Sequence, residues 1–185
     1  MIISKKKLKI AFQGMLGAYS NMACEECFPN ANAIPCISFE NMLETTKSKA
    51  SDLAMVPIEN SVAGRVADIH NLIPESGLHI IGEHYQKVNH QLLALKGATL
   101  KTIKTVKSHS QGLAQCRKLI KQLNIAPVQH IDTAGAAHEL SKGNDITVAA
   151  IASKMAAKIY LSLIHISEPT RPLYMSYAVV CLKKK

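Results

Sequence analysis

The stretch AMVPIENSVAGRVADIH, residues 54–70, decides the fold class. It begins as an apolar strand and ends with the spacing of an amphipathic helix. Between them lies a corner crowded with polar and flexible residues: Glu59, Asn60, Ser61, Gly64 and Arg65. The first N–H groups of a helix have no partners within the helix, so polar side chains are expected where a helix begins. The stretch therefore predicts a strand that turns directly into a helix.

The same order of apolar run, polar corner and helix recurs along the chain. The predicted strands are 8–12, 53–58, 103–107, 128–131 and 146–152. The helices predicted to follow them are 18–27, 65–73, 113–123, 132–143 and 154–160. Side chains suited to cap these helices are those of Asn60, Ser61, Ser108, Thr133 and Ser153. Strict alternation of strands and helices predicts an α/β fold.

The polar corners also suggest what the protein binds. Each one taken alone can be read as a helix cap and nothing more. In open α/β sheets, however, ligands bind beyond the carboxyl ends of the strands, where helix amino ends attract anions. The chain has no G-x-G-x-x-G fingerprint and no phosphate loop ending in Gly-Lys-Ser/Thr. The pattern thus favours a small, multiply charged metabolite over a nucleotide.

The net charge of +9 does not indicate a nucleic-acid partner. Many of the lysines cluster near the two ends of the chain, at residues 5–9 and 183–185. There is no basic stripe interleaved with aromatic residues and no recognisable nucleic-acid-binding motif. We therefore interpret the charge as a solvated surface and expect no nucleic acid among the partners.

Cysteine and histidine patterns predict no metal site. Cys24 and Cys27 form a C-x-x-C, but it lies in a predicted helix with no second pair, so both are read as ordinary helix positions. His79, His84 and His90 lack metal-ligand spacing and are read as structural or surface residues. No apolar run is long enough to span a membrane, and the start of the chain does not resemble a secretory signal. We expect a cytoplasmic protein with no membrane partner.

Five motifs resemble the prephenate dehydratase family, in the order and spacing of that family. They are IAFQGMLGAYSNMA at 10–23, VPIENSVAGRV at 56–66, VKSHSQGLAQC at 106–116, DTAGAA at 132–137 and AAIASKMAAKIY at 149–160. The resemblance covers nearly all of residues 8–160. It implies a two-lobed, type II periplasmic-binding-protein-like fold with the ligand cleft between lobes at 1–83 and 84–160, incomplete at the C-terminus.

The resemblance also implies an activity and a set of site residues. Members of the family convert prephenate, a dicarboxylate, into phenylpyruvate, with loss of carbon dioxide and water and without a cofactor or metal. The implied catalytic residues are Glu59, Asn60, Ser108 and Gln115. The implied substrate-binding residues are Ser61, Gly64, Arg65, His109, Thr133 and Ala134. A homodimer or homotetramer is implied for the full-length protein.

The roles within this set are hypotheses. Asn60, Ser61, Ser108 and Thr133 are expected to donate hydrogen bonds to substrate oxygens, and Gln115 to orient the ring. Glu59 could supply a proton if burial raised its pKa, although an indirect role is equally open. Arg65 could pair with a carboxylate or simply lie on a helix surface.

The resemblance ends after Tyr160. Residues 161–185 resemble the translation of a sequencing-library adapter, so we expect a non-native tail, disordered or artefactual. Thr170 and Arg171 imitate a Thr-Arg-Phe motif of the family but are followed by Pro172, and we assign Thr170 no catalytic role. The fragment is expected to lack the family's proton donor, its return strand and its ACT regulatory domain, and therefore to be impaired.

Two other functions remain open at this point. Arogenate dehydratase, which acts on the amino-acid analogue of prephenate, is not separated from prephenate dehydratase by these motifs. A non-catalytic carboxylate-binding module could use the same fold, and it would bind without turnover.

Overall fold

The computed structural model describes residues 7–62, 64–160, 163–166 and 175–184, with the backbone alone at 163–166 and 175–177. The strands are β1 (Lys9–Gln13), β2 (Asn32–Cys36), β3 (Leu53–Asn60), β4 (Gly64–Arg65), β5 (His79–Val88), β6 (Gln91–Leu95), β7 (Thr105–Ser108), β8 (Ala126–Gln129), β9 (Val148–Ala152), β10 (Leu163–Ile166) and β11 (Met175–Lys183). The helices are α1 (Tyr19–Cys27), α2 (Phe39–Lys47), α3 (Ala67–Ser76), α4 (Ser110–Gln115), α5 (Arg117–Gln122), α6 (Thr133–Lys142) and α7 (Lys154–Ile159). Strands alternate with helices over most of the chain, which confirms the predicted α/β class.

The chain divides into two compact units, each built around its own open sheet. Unit 1 consists of Met1–Gly14, Tyr19–Gln86 and Ser176–Lys185, and unit 2 of Met15–Ala18 and Lys87–Met175. The division after Gln86 differs by a few residues from the predicted one after residue 83. The short loop Met15–Ala18 belongs to unit 2 although the residues on both sides of it belong to unit 1.

The sheet of unit 1 has the strand order β2-β1-β3-β11-β5, and β4 pairs with β3. Strands β2, β1 and β3 are parallel, whereas β11 is antiparallel to β3. Pro57 lies inside β3 and cannot donate to a neighbouring strand. The structure accommodates Pro57 because the pairing of β3 with β1 ends before it, at Met55. On the other side of β3, the register with β11 shifts between Ala178 and Val179, opposite Pro57. Such a bulge is where a proline is tolerated within a sheet.

Strand β11 lies in the segment for which the sequence predicts a disordered tail. Val179 and Leu182 of this strand are fully buried, and Leu182 packs in the core of unit 1 with Ala54 and Val56. An antiparallel strand therefore pairs with β3 here, within the segment for which a missing return strand was expected. The physical reason is that the apolar run AVVCL suits a buried strand whatever its origin. The adapter origin of the tail stays a prediction.

Unit 2 has the strand order β10-β6-β9-β7-β8, in which β9, β7 and β8 are parallel. Alternate residues of β6 and β9 contribute to two different apolar clusters, one on each face of the sheet. Leu92 and Ile151 face one cluster, whereas Leu93 and Ala150 face the other. Burial on both faces explains why the sequences of these strands read as continuous apolar runs rather than alternating ones.

The loop Met15–Ala18 is held against the amino end of α7. Gly17 has φ +89°, and a Cβ at this position would lie 2.7 Å from the Cα atom of Ala156. The Ser153 hydroxyl donates to the carbonyl oxygen of Gly17 at 2.5 Å, and Tyr160 donates to that of Leu16 at 2.9 Å. Only glycine fits both this backbone conformation and the close approach.

No helix within the described ranges combines the length and the apolar character needed to cross a bilayer.

Candidate functional site

The polar corner after β3 is a hairpin and not the start of a helix. Asn60 pairs with Gly64 and Glu59 with Arg65 in the antiparallel ladder of β3 and β4. The Val62 N–H donates to Asn60 Oδ1 at 2.9 Å, so Asn60 caps the turn of the hairpin. Helix α3 begins only at Ala67, and its N-cap residue Val66 makes no side-chain capping bond. The predicted role of Asn60 and Ser61 as helix caps is thus wrong.

The side chains of this hairpin differ in burial. Asn60 is 6% exposed, whereas Glu59, Ser61 and Arg65 are exposed and Gly64 is intermediate. The proton-supplying role considered for Glu59 was conditional on burial, and Glu59 is exposed. Arg65 lies on β4 and not on a helix surface. The hairpin keeps all five predicted residues of unit 1 within one short segment.

The predicted residues of unit 2 follow the carboxyl ends of β7 and β8. Ser108 is the last residue of β7 and is fully buried. Its hydroxyl donates to the carbonyl oxygen of Ile151 in β9 at 2.7 Å. Because a hydroxyl has one proton, Ser108 in this arrangement offers other groups an acceptor and not a donor.

Gly112 brings Ser108 and Thr133 together. A Cβ on Gly112 would lie 2.8 Å from Ser108 Oγ and 3.5 Å from Thr133 Cγ2. The same position lies 3.6 Å from Cε1 of His90. Parallel strands place their carboxyl ends at one edge of a sheet, which is why motifs far apart in the sequence meet here.

His109 and Asp132 are the residues that cap the helices at this edge. His109 Nδ1 accepts a hydrogen bond from the N–H of Gln111 at 3.3 Å, and Asp132 Oδ1 accepts one from Gly135 at 2.5 Å. The predicted caps Ser108 and Thr133 are each displaced by one position, whereas Ser153 caps α7 as predicted.

The imidazole of His109 is held neutral. Burial lowers the pKa of His109, and the nearby Asp132 carboxylate opposes that shift only in part. A nitrogen that accepts a hydrogen bond carries no proton, so the proton of neutral His109 is on Nε2.

Ala134 is fully buried in an apolar cluster of unit 2 with Ala137 and Leu140. Its side chain therefore packs inside the unit. Any contribution to a ligand comes through its backbone at the amino end of α6.

His90 also lies at this edge, although the sequence analysis reads it only as a structural or surface residue. Its Nε2 lies 2.6 Å from Oε1 of Gln115, and burial lowers the pKa of His90. His90 precedes β6, whose first residue Gln91 pairs with Ala152 at the carboxyl end of β9. Only this antiparallel register brings His90 to the edge, and the register leaves no signal in the sequence near His90.

Other features lie away from these residues. In the part of the chain that the structure describes, no group of three His, Cys, Asp or Glu residues could bind a metal. Two surface depressions of unit 1, of about 400 and 510 Å³, contain none of the predicted site residues. Thr170, Arg171 and Pro172 lie outside the described residues.

The sequence of the chain is similar to those of known proteins. The family model described as prephenate dehydratase matches residues 10–168. A bifunctional N-acyl-homoserine lactone acylase/prephenate dehydratase of Komagataeibacter europaeus is 43% identical over 150 residues, covering 81% of this chain and 53% of the relative. Arogenate dehydratase/prephenate dehydratase 2, chloroplastic, of Arabidopsis thaliana is 40% identical over 154 residues, covering 83% and 40%. The chain thus spans about half or less of the length of these curated relatives.

Solved structures agree with the predicted fold. Prephenate dehydratase of Arthrobacter aurescens, in complex with L-Phe, superposes with a TM-score of 0.87 at 27% identity, covering 96% of this chain and 61% of that one. The ligand-binding component of an ABC-type import system from Staphylococcus aureus has a TM-score of 0.51 at 12% identity, covering 97% and 66%. The second likeness concerns the fold alone, and it supports the type II periplasmic-binding-protein-like architecture.

Proposed function

Because the chain belongs to the prephenate dehydratase family, we propose that it is a lyase that converts prephenate into phenylpyruvate in phenylalanine biosynthesis. The observation that carries the proposal is the meeting of two family motifs in unit 2. Ser108 and Thr133 both lie within 3.5 Å of the Cβ position of Gly112 at the carboxyl edge of the sheet, which is where open α/β sheets bind ligands.

The reaction requires binding of the substrate and delivery of one proton, and it involves no redox chemistry. The ring carboxylate of prephenate leaves as carbon dioxide, and its bonding electrons complete the aromatic ring as the ring hydroxyl leaves as water. One proton is consumed at the departing hydroxyl, and no electrons are gained or lost overall. The protein must therefore hold two carboxylates, keep the departing one poorly solvated and deliver that proton.

In unit 1, we assign substrate contacts to the β3–β4 hairpin. The Val62 N–H donates to Asn60 Oδ1, which fixes the orientation of the Asn60 amide that we assign to a substrate oxygen. Ser61 and Arg65 are exposed and can contact a carboxylate, and Gly64 lets the turn approach a ligand. Glu59, which is exposed, acts indirectly by pairing opposite Arg65.

In unit 2, the assignments follow the hydrogen bonds. Thr133 donates to substrate, while Ser108 fixes the edge by bonding β7 to β9 and offers its oxygen as an acceptor. Neutral His109 can donate from Nε2, Ala134 contributes its backbone, and Gln115 orients the ring. These roles refine the hypothesis that all four hydroxyl and amide side chains donate.

The test is a pair of measurements on the purified 185-residue chain. Prephenate and arogenate are titrated into it by calorimetry, and formation of phenylpyruvate or phenylalanine is followed over time. Binding and turnover of prephenate are expected, slowed by the tail. Turnover of arogenate alone would identify the alternative substrate named among the plant relatives. Binding without turnover would favour a carboxylate-binding module, and binding of neither would overturn the proposal.

We place this activity in the cytoplasm, without nucleic-acid or membrane partners, and in a homodimer or homotetramer for the full-length protein. All five cysteines are free thiols, which fits a reducing compartment. Sedimentation of the purified protein tests the assembly. A DNA titration at two salt concentrations tests whether the positive net charge serves nucleic-acid binding. Tight, salt-dependent binding would contradict the proposed absence of a nucleic-acid partner.

A further inference from the structure

His90 lies at the same edge of unit 2 as the residues assigned to substrate. It stands next to Gln91, which pairs with Ala152 just before Ser153 caps α7. Its Cε1 atom lies 3.6 Å from the Cβ position of Gly112, the point around which Ser108 and Thr133 also lie. His90 is only partly exposed, and its position is fixed by the ends of β6 and β9.

The hydrogen bond between His90 and Gln115 defines the orientation of both side chains. The two atoms, His90 Nε2 and Gln115 Oε1, are 2.6 Å apart. A carboxamide oxygen only accepts, so the imidazole must carry its proton on Nε2. Burial lowers the pKa of His90, so the ring is neutral at pH 7 and has one N–H to give.

A donor at Gln115 Oε1 fixes the orientation of the Gln115 amide. A glutamine side chain has three rotatable bonds, and its two amide ends have opposite hydrogen-bonding character. With Oε1 held by His90, the orientation of the amide is set, and the entropy of ordering the side chain is spent before any ligand binds.

We propose that His90 is a positioning residue that fixes, through its Nε2–H, the orientation in which the Gln115 carboxamide meets the substrate. The inference rests on the proposed function for the identity of the ligand. It adds a residue that acts through Gln115 and need not touch the substrate. A histidine that only filled space at this edge would not depend on its N–H.

A double-mutant cycle on the 185-residue chain tests this dependence. His90→Phe keeps a ring but removes the donor, His90→Gln restores an N–H at a similar reach, and Gln115→Leu removes the acceptor. His90→Phe is expected to weaken prephenate binding about tenfold, and His90→Gln no more than about threefold. In the Gln115→Leu background, His90→Phe is expected to have no further effect. Losses that multiply, or equal damage from His90→Gln and His90→Phe, would overturn the proposal.

Nuclear magnetic resonance separates this proposal from the proposed function. The side-chain amide signals of Gln115 are identified by their loss in Gln115→Leu. They are expected to shift in His90→Phe and return in His90→Gln, and His90 itself is expected to show the Nε2–H tautomer. If the unchanged chain fails to bind prephenate, the proposed function fails while these signals still decide the positioning role. Unshifted Gln115 signals in His90→Phe, or an Nδ1–H tautomer, would overturn it.

Discussion

At the scale of single residues, the five thiols differ sharply in their surroundings. Burial raises the pKa of Cys24 to about 12 and those of Cys116 and Cys181 to about 11. Cys36 is buried as well, whereas Cys27 is exposed. The thiolate is the reactive form, so a buried thiol with a raised pKa reacts slowly.

We therefore expect one fast-reacting thiol in the native chain. Ellman's reagent at pH 8 is expected to label Cys27 in a first phase and the other four only as the protein opens. Cys27→Ser is expected to abolish the first phase, with Cys36→Ser as the matched control that leaves it intact. A first phase of two or more thiols per chain would contradict the burial described above.

Two histidines of unit 2 make stability depend on pH. The folded pKa values of His90 and His109 both lie below the ordinary value of 6.5 because the rings are buried. Between the folded and unfolded pKa values the unfolded chain binds more protons, so the unfolding free energy rises with pH. The stabilising contribution of the two histidines is complete above their pKa in the unfolded chain. It is lost as the pH falls toward their lower pKa values in the folded protein.

Urea unfolding at pH 7 and at pH 5 measures this effect. The unfolding free energy is expected to fall between the two, and His90→Gln is expected to make the fall smaller because one of the two groups no longer titrates. His70→Gln changes an exposed histidine of unit 1 and serves as the control. An equal fall in the unchanged chain and in His90→Gln would contradict the prediction.

At the scale of elements, the β3–β4 hairpin makes Asn60 the most informative position of unit 1. Asn60→Ala removes both the acceptor for Val62 and the proposed amide donor. We expect the turnover of prephenate to fall by at least about one to two orders of magnitude, as for the loss of a donor that acts mainly in the transition state.

The control for Asn60 is Asn71→Ala, an exposed asparagine on α3 of the same unit. Initial rates and urea unfolding are measured for both variants, so that a loss of folding is not mistaken for a loss of chemistry. Unchanged turnover in Asn60→Ala would remove Asn60 from the site.

Elements with a strong local pattern could be predicted from the sequence, and those set by pairing could not. Strands β1, β3, β7 and β9 and helices α1, α6 and α7 were predicted close to their observed bounds because apolar runs and polar corners mark them. The predicted helix 113–123 is two helices divided at Cys116. The predicted start of a helix at 65 is instead strand β4, because Asn60 closes a turn that the sequence does not distinguish from a cap.

The segment 32–47 contains a strand with a weak sequence pattern and a helix whose clear sequence pattern was overlooked. Strand β2 contains Pro35 and is poorly buried, so its pattern is weak. Helix α2 is amphipathic and capped by Ser38, which accepts from the N–H of Asn41 at 3.1 Å, and this signal was present in the sequence. The contact between His90 and Gln115 had no local signal, since it depends on how β6, β9 and β7 are ordered in the sheet.

At the scale of the whole molecule, β11 decides whether unit 1 is complete. Leu182 is fully buried among residues of β1 and β3. Leu182→Ala is expected to lower the unfolding free energy by about 2–5 kcal/mol, as for other buried leucines. Lys183→Ala, at the exposed neighbouring position, is expected to change it by less than about 0.5 kcal/mol. Equal effects of the two changes in urea unfolding would show that β11 is not part of the cooperative fold.

The placement of β11 has a consequence for the chain as it is synthesised. Unit 1 is assembled from three separate stretches, of which Ser176–Lys185 is the last, whereas unit 2 is made from residues that end at Met175. A ribosome delivers the amino-terminal part first, so β3 emerges long before the strand that pairs with its open side. Until then that side offers unpaired backbone groups to any neighbouring nascent chain. The unit that is translated first is thus the one that closes last.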